Sequence, residues 1–343
     1  MILKICAFLI VILLVFWVQR LVNRYCAYTE TIADYHHVFH TERMDPITHE
    51  RLIRYWKTNS YYEFFNHSRL SMDRSQEETI VFVGLCQDNG KDVLATWMPI
   101  LRQIGEKFKD YRIIMVENDS LDDTRHQLLR QAEKDDRFIV LCDQDRPENT
   151  KTCQLGRRSV EKGGDKEMNL EKRVRTLAKF RQVYWDHVQK KYDNYTYMCI
   201  IDWDLEGQLS IPGFFHGLYY ARGYVDVVAC NSYHKQNGSF YIHDTFPLLN
   251  ENRCQYLRDN KSTEDLRMRK QMRERVLYGS TYLVPVSSAF GGLALYNIQR
   301  VMARHADYKN PICPMECEHS TFHKNLEVYI DPWMTFYITK NRH

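Results

Sequence analysis

An α/β fold built on a mostly parallel sheet is what the sequence predicts, and three observations predict it. Short β-rich apolar runs recur at residues 79–84 (TIVFVG), 111–116 (YRIIMV), 138–142 (FIVLC) and 195–201 (YTYMCII). Stretches with apolar residues at helical spacing separate them, as in Leu94, Trp97, Met98, Leu101, Ile104 and Phe108. Each run then passes directly into polar residues. Strands alternating with helices are the pattern of a parallel sheet covered on both faces, and such sheets bind ligands beyond the carboxyl ends of their strands.

Residues 1–22 are the first element. Ile5 to Val18 are fourteen consecutive apolar residues between Lys4 and Gln19. A helix of about 22 residues rising about 1.5 Å each crosses a bilayer core. A cleaved signal peptide is the rival reading. Gln19, Arg20 and Arg24 stand where small residues should mark a cleavage site, so an N-terminal transmembrane helix is expected. The membrane is then a partner, and a single-pass type II arrangement with a lumenal catalytic part in the endoplasmic reticulum or Golgi follows. Lys4 on one side and Arg20 and Arg24 on the other leave the cytosolic-facing orientation open. Sequons at Asn66, Asn118, Asn194, Asn237 and Asn260 permit a lumenal side without demanding it.

Residues 23–78 are polar and aromatic without clean alternation. They read as a stem or N-terminal extension holding one or two short helices, as the spacing of Glu50, Leu52, Ile53 and Trp56 suggests. The catalytic domain is expected over 79–343. Its helices are placed at 93–108, with Pro99 near the first turn or kinking it, at 122–134 and at 170–191. A Gly/Pro/Asn/Lys-rich loop covers 144–165. A loop and helix cover 207–223, a strand 225–230, and a polar region with helical stretches 254–277. Neither an internal repeat nor a break into two domains is evident.

Charged residues are 27% of the chain and the formal net charge is +3, so no basic stripe for nucleic acid is implied. The nearest candidate, 171–191, mixes Arg173, Arg175, Lys179 and Arg181 with Glu171 and Asp186 and reads as a solvated helix face. None of the ten cysteines forms a CxxC pair. Cys86, Cys142 and Cys199 lie in or beside apolar runs and are expected as core thiols. Cys230 with Cys254, or Cys313 with Cys317, could be disulfides.

Asp202-Trp203-Asp204 closes an apolar strand. Carboxylates at i and i+2 of extended chain point the same way, so the pair could share a hard cation and leave its other positions to phosphate oxygens. A solvated turn is the bland alternative. In VENDSLDDT (116–124), Glu117, Asn118 and Asp119 could accept from ribose hydroxyls or a base N–H, with Ser120 or Asp122 capping the next helix. At the end of the first strand, Gly84 would let the backbone pass close to a nucleotide, beside Gln87 and Asp88. Three polar strand ends imply one shared rim. Further on, His319 and His323 stand four apart, but the Glu of HExxH is missing, so this is no zincin.

The order of the VFVG strand, the ENDSLDDT turn, Asp202-Trp203-Asp204, Ser288-Ala289-Phe290-Gly291-Gly292-Leu293 and Cys317-Glu318-His319-Ser320-Thr321-Phe322 resembles nucleotide-sugar-dependent glycosyltransferases of the GT-A fold. The fungal capsule-associated α-mannosyltransferases and related viral and microbial proteins are the nearest in feel, over residues 79–335. The resemblance implies a nucleotide-diphosphate sugar donor, Mn²⁺ or Mg²⁺, and a glycan, lipid-linked or protein acceptor. It implies Asp204 as direct metal ligand and Asp202 nearer the ribose or just outside the metal. Glu117 and Asp119 would hold the nucleoside, Arg175 and Lys179 the donor diphosphate. The Gly291-Gly292 turn, followed by an apolar helix start at Leu293, would border the acceptor pocket. Glu318 would be the catalytic carboxylate, and His319 or His323 would complete the metal shell. A sugar nucleotidyltransferase is a rival, but its Gly-rich N-terminal signature with Arg and Lys is replaced here by Cys86-Gln87-Asp88-Asn89. A non-catalytic carbohydrate-binding protein on the same fold is the other.

Overall fold

The computed structural model describes residues 14–23, 45–55, 58–117, 120–142, 148–150, 166–223, 225–243, 248, 280–309 and 317–341. The expected strands come first as β1 (Thr79–Cys86), β2 (Asp110–Glu117), β3 (Phe138–Leu141) and β4 (Tyr197–Ile201). β5 (Leu205–Leu209), β6 (Val227–Gln236), β7 (Ser239–Ile242), β8 (Val284–Val286), β9 (Leu293–Asn297) and β10 (Val328–Asn341) follow. The helices are α1 (Pro46–Arg54), α2 (Asn59–Ser75), α3 (Gly90–Gly105), α4 (Thr124–Lys134), α5 (Lys166–Lys191), α6 (Ile211–Gly223), α7 (Ile298–Ala303) and α8 (Glu318–Phe322). Pro99 lies well inside α3 rather than in its first turn.

The sheet runs in the order β3-β2-β1-β4-β9-β6-β10-β5, with β7 on β6 and β8 on β10. β1, β2, β3 and β4 pair in parallel. β9 then runs antiparallel to both β4 and β6, and β5 and β8 run antiparallel to β10. The sheet is therefore mixed, not mostly parallel. The main source of the error is Leu293 to Asn297, expected to open a helix but forming a buried strand. A five-residue apolar run has no periodicity that separates the two. The polar LEGQL of β5 gave no strand signal at all.

Beyond β3 the chain crosses back, through α5, to lay β4 on the far side of β1. The sheet's topological switch point thus lies between β1 and β4, the place where sheets of this kind bind ligands at the strands' carboxyl ends. Alternation along β1 serves two cores. Ile80 and Phe82 face Trp97, Leu101 and Phe214 on one side; Val81 and Val83 face Tyr184, Trp185 and Val188 of α5 on the other.

The N-terminal extension packs onto the far end of the sheet. Asp45 caps α1 through the Ile47 and Thr48 N–H groups, while Tyr233 and Thr335 hydroxyls donate to its carboxylate at 2.6 and 2.9 Å. Phe64 of α2 stacks on Trp333 with ring centroids 4.6 Å apart. His216 and Asp331 meet there at 2.7 Å, and His67 stacks on Tyr219 at 3.8 Å.

The expected membrane helix needs correction, and with it the membrane partner and the single-pass lumenal placement. Residues 14–23 are helical, residues 1–13 lie outside the described residues, and among the described residues no helix is long and apolar enough to cross a membrane. The cysteine expectations also change. Cys86 and Cys199 are buried free thiols as expected, but so are Cys230 and Cys317, whereas Cys142 is disulfide-bonded.

Candidate functional site

The site is built where β4 ends. Trp203 turns inward, 2% exposed and edge-on to Trp97 at 5.9 Å, so Asp202 and Asp204 on either side of it are left half-buried at the rim. The Asp202 N–H donates to the Gly292 carbonyl at 2.9 Å. That turn needs its two glycines. Both have positive φ (64° and 75°), and an added Cβ would lie 2.5 Å from the Cys230 carbonyl oxygen or 2.3 Å from Leu205 Cδ1. Gly84 is explained differently from expectation. A Cβ there would stand 2.2 Å from both the Ile201 carbonyl oxygen and Trp203 Nε1, so the space the glycine leaves is filled by the indole rather than kept for a nucleotide.

Arg181 of α5 is the residue that the sequence reading missed. It is 4% exposed, not on a solvated face, and bridges two acids. Its Nε donates to Glu318 Oε1 at 2.8 Å and its Nη2 to Asp202 Oδ1 at 3.0 Å. The guanidinium also lies 5.3 Å over the Phe290 ring. Burial first, then the neighbouring Asp204 and Glu318 carboxylates, push the Asp202 carboxyl up to about 6 against the pull of Arg181. The available signal was helical spacing: Val174, Ala178, Tyr184, Trp185 and Val188 mark the buried face, and Arg181 falls within it.

The ends of β1 and β2 are knitted together, as a shared rim requires. The Asp88 N–H donates to Ser120 Oγ at 3.0 Å, the Leu121 N–H to Asp88 Oδ1 at 2.6 Å, and the Gly90 N–H to Thr124 Oγ1 at 2.8 Å. Asp88 adopts φ 54° to make this turn, and Gln87 lies half-exposed beside it. Glu117, however, does not suit a nucleoside contact. It is fully buried, with Oε1 taken by the Ser120 N–H at 2.9 Å and Oε2 by Arg125. Its role is to organise the turn. Asn118 and Asp119 lie outside the described residues.

The two histidines differ. His323 is buried with both ring nitrogens engaged, by the Ser288 hydroxyl at 3.0 Å and the Tyr296 hydroxyl at 2.9 Å. It has no nitrogen left for a metal, which corrects that expectation. His319 is 1% exposed and stacks on Phe290 at 3.9 Å, and neither of its ring nitrogens has a hydrogen-bond partner. Burial, then Arg181 and His323, hold its pKa well below the usual imidazole range, so the ring is neutral. Yet among the described residues no three His, Cys, Asp or Glu side chains come close enough to hold a metal ion. The donor set therefore does not fit a cage made wholly of protein. A hard cation at Asp202 and Asp204 would have to complete its shell from phosphate and water.

Arg175 and Lys179 are exposed on α5, with Arg175 paired to Glu171 at 2.7 Å. Both line a cavity of about 360 Å³ together with Gln182, Tyr308, Lys309 and Glu318. None of Gly84, Gln87, Asp88, Glu117, Asp202 or Asp204 lines it.

No family model matches the chain, and no curated protein matches its sequence. Among solved structures, the mannosyltransferase PcManGT from Pyrobaculum calidifontis in complex with GDP-Man and Mn²⁺ overlays with a TM-score of 0.39 at 12% identity, over 81% of this chain and 66% of that one. S. aureus TarS 1-349 overlays with a TM-score of 0.40 at 10% identity, over 76% and 60%. The overlays span less than two thirds of either neighbour. Neither is a fungal capsule-associated enzyme, and overlap this loose says nothing of chemistry.

Proposed function

We propose that the chain is a GT-A-like glycosyltransferase that moves a sugar from a nucleotide diphosphate to an acceptor hydroxyl. The observation that carries this reading is the position of Asp202 and Asp204 at the end of β4, beside β1 at the topological switch point, with Asp202 fixed from behind by Gly292 and from the side by Arg181. Mn²⁺ or Mg²⁺ would be held by Asp204 and the free oxygen of Asp202, and would offset charge on the departing diphosphate. Arg181 orients Asp202 and Glu318 and keeps positive charge beside them. Glu318, with Oε1 held by Arg181, has Oε2, which accepts from the Cys317 thiol at 3.5 Å, to take the acceptor's proton. In the transfer, the acceptor oxygen bonds to the sugar's anomeric carbon as that carbon's bond to the diphosphate oxygen breaks. The released proton passes to Glu318. Asp88 and Gln87 offer the nucleoside side of the site.

The test is turnover of a panel of UDP- and GDP-sugars by the purified protein with Mn²⁺ or Mg²⁺, alongside Asp204→Ala. Loss of one electrostatic group at a reacting centre costs on the order of 10²–10³ in rate, so turnover should fall by that factor with the melting temperature unchanged. Turnover that survives the substitution, or that ignores chelation of divalent ions, overturns the reading.

A further inference from the structure

A cavity between α5 and α8 has Glu318 in its lining, and Arg181 links Glu318 to Asp202 at the end of β4. Its volume of about 360 Å³ is at the small end of ligand pockets and suits one or two sugar rings. Its walls are Val174, Ala178, Val183 and the Tyr308 ring, apolar surfaces of the kind that pack against the C–H face of a pyranose. Among its described lining residues Glu318 is the single acid, 3% exposed. The other charges are all positive: Arg175, Lys179 and Lys309.

Those three cations are not equally committed. Arg175 is neutralised by Glu171 at 2.7 Å. Lys309 lies 3.8 Å from Asp186, a loose contact that leaves most of its charge to solvent. Lys179 makes no ion pair with any described residue. An acid at the floor and uncommitted cations at the wall would bind poorly to a neutral sugar but well to one carrying a hydroxyl and an anion.

We propose that this cavity is the acceptor site and that the acceptor is an acidic sugar, either a uronic acid or a sugar phosphate, with a hydroxyl toward Glu318 and the anion at Lys179 and Lys309. The proposal rests on the glycosyltransferase reading for its chemistry, but the cavity's preference for anions is measurable without it. Lys179 thereby serves the acceptor rather than the donor diphosphate.

The experiment is calorimetric titration of the full chain with glucuronate, glucose 6-phosphate and glucose. It is repeated with Lys179→Glu, Lys309→Glu and, as a control of equal charge change on an exposed α5 residue outside the cavity, Lys190→Glu. The acidic sugars should bind about tenfold more tightly than glucose, the worth of one charge-assisted hydrogen bond. That preference should vanish in the two cavity variants and persist in Lys190→Glu. Tighter binding of glucuronate or of glucose 6-phosphate then tells which anion is meant. Equal binding of glucose, or an equal loss in Lys190→Glu, overturns the proposal. Selective binding of acidic sugars by a chain that turns over no nucleotide sugar leaves the cavity standing and removes the glycosyltransferase reading. Turnover of a nucleotide sugar without acid-sugar selectivity does the reverse.

Discussion

Two buried arginine–carboxylate pairs flank β1, and they do different work. At the end of β2, Arg125 meets a Glu117 whose second oxygen is already taken by the Ser120 N–H. The pair is closed, and its product is a shaped turn. At the end of β4, Arg181 spreads over two acids, using Oδ1 of Asp202 and Oε1 of Glu318. Asp202 Oδ2 stays outside that bridge, and Glu318 Oε2 accepts from the Cys317 thiol at 3.5 Å. On the proposed function, the arginine that bridges two acids serves the site, and the closed pair serves only the shape of a turn.

The comparison breaks first at Arg181. Removing one partner from a buried charge network costs about 3–5 kcal/mol. Arg181→Met should lower the urea midpoint by that equivalent and abolish nucleotide–Mn²⁺ binding, with Arg181→Lys recovering part of the stability. A wild-type midpoint in Arg181→Met would remove the bridge from the account.

Gly84→Ala comes next. The clash is with a backbone oxygen as well as with the Trp203 ring. Overpacking costs about 1–3 kcal/mol, and tryptophan emission should shift as the indole is displaced. An unshifted spectrum together with an unchanged melting temperature would show that the space is not tight.

Glu117→Gln sharpens the contrast between the pairs. Stability should fall by about 1–3 kcal/mol, the cost of unsatisfying buried partners, while nucleotide affinity changes by less than about twofold. A larger loss of affinity than of stability would make Glu117 a ligand-binding residue after all.

The smallest effect is the background against which titration at either pair is read. Burial first, then His216, depress the His67 pKa from its ordinary 6.5 to about 4. A histidine with a depressed folded pKa contributes stability that is full above 6.5 and lost as pH falls toward 4. The loss should be about 1 kcal/mol for a ring still in contact with solvent. His67→Phe should flatten this part of the pH–stability curve, and an unchanged curve would count against it.

The first half of the sheet was legible because β1 to β4 are apolar runs separated by helices of full length, the case in which period and punctuation agree. β9 was not, since LALYN is too short to show a period, and β5 was not, since it is polar. In the site, Asp202 and Asp204 could be picked out by residue type and position after an apolar run, and Glu318 only through the resemblance. Arg181 could not, because charge suggested solvent while only its helical phase suggested burial. The difference between His319 and His323 depends on Ser288 and Tyr296, partners that are distant in sequence and brought near only by folding. Gly84 was noticed for the wrong neighbour, because its contact, Trp203, arrives from 119 positions later.

The Asp45 clamp has a practical consequence. Tyr233 and Thr335, which bind its carboxylate, belong to the central strands β6 and β10, and Trp333 is covered by Phe64. A shortened protein beginning at Thr79 would bare that indole and orphan a run of hydroxyls on the sheet. Contiguous apolar surface of this kind promotes self-association. Trimming back to the start of β1 should therefore yield aggregates, whereas a piece beginning ahead of Asp45 should stay monodisperse.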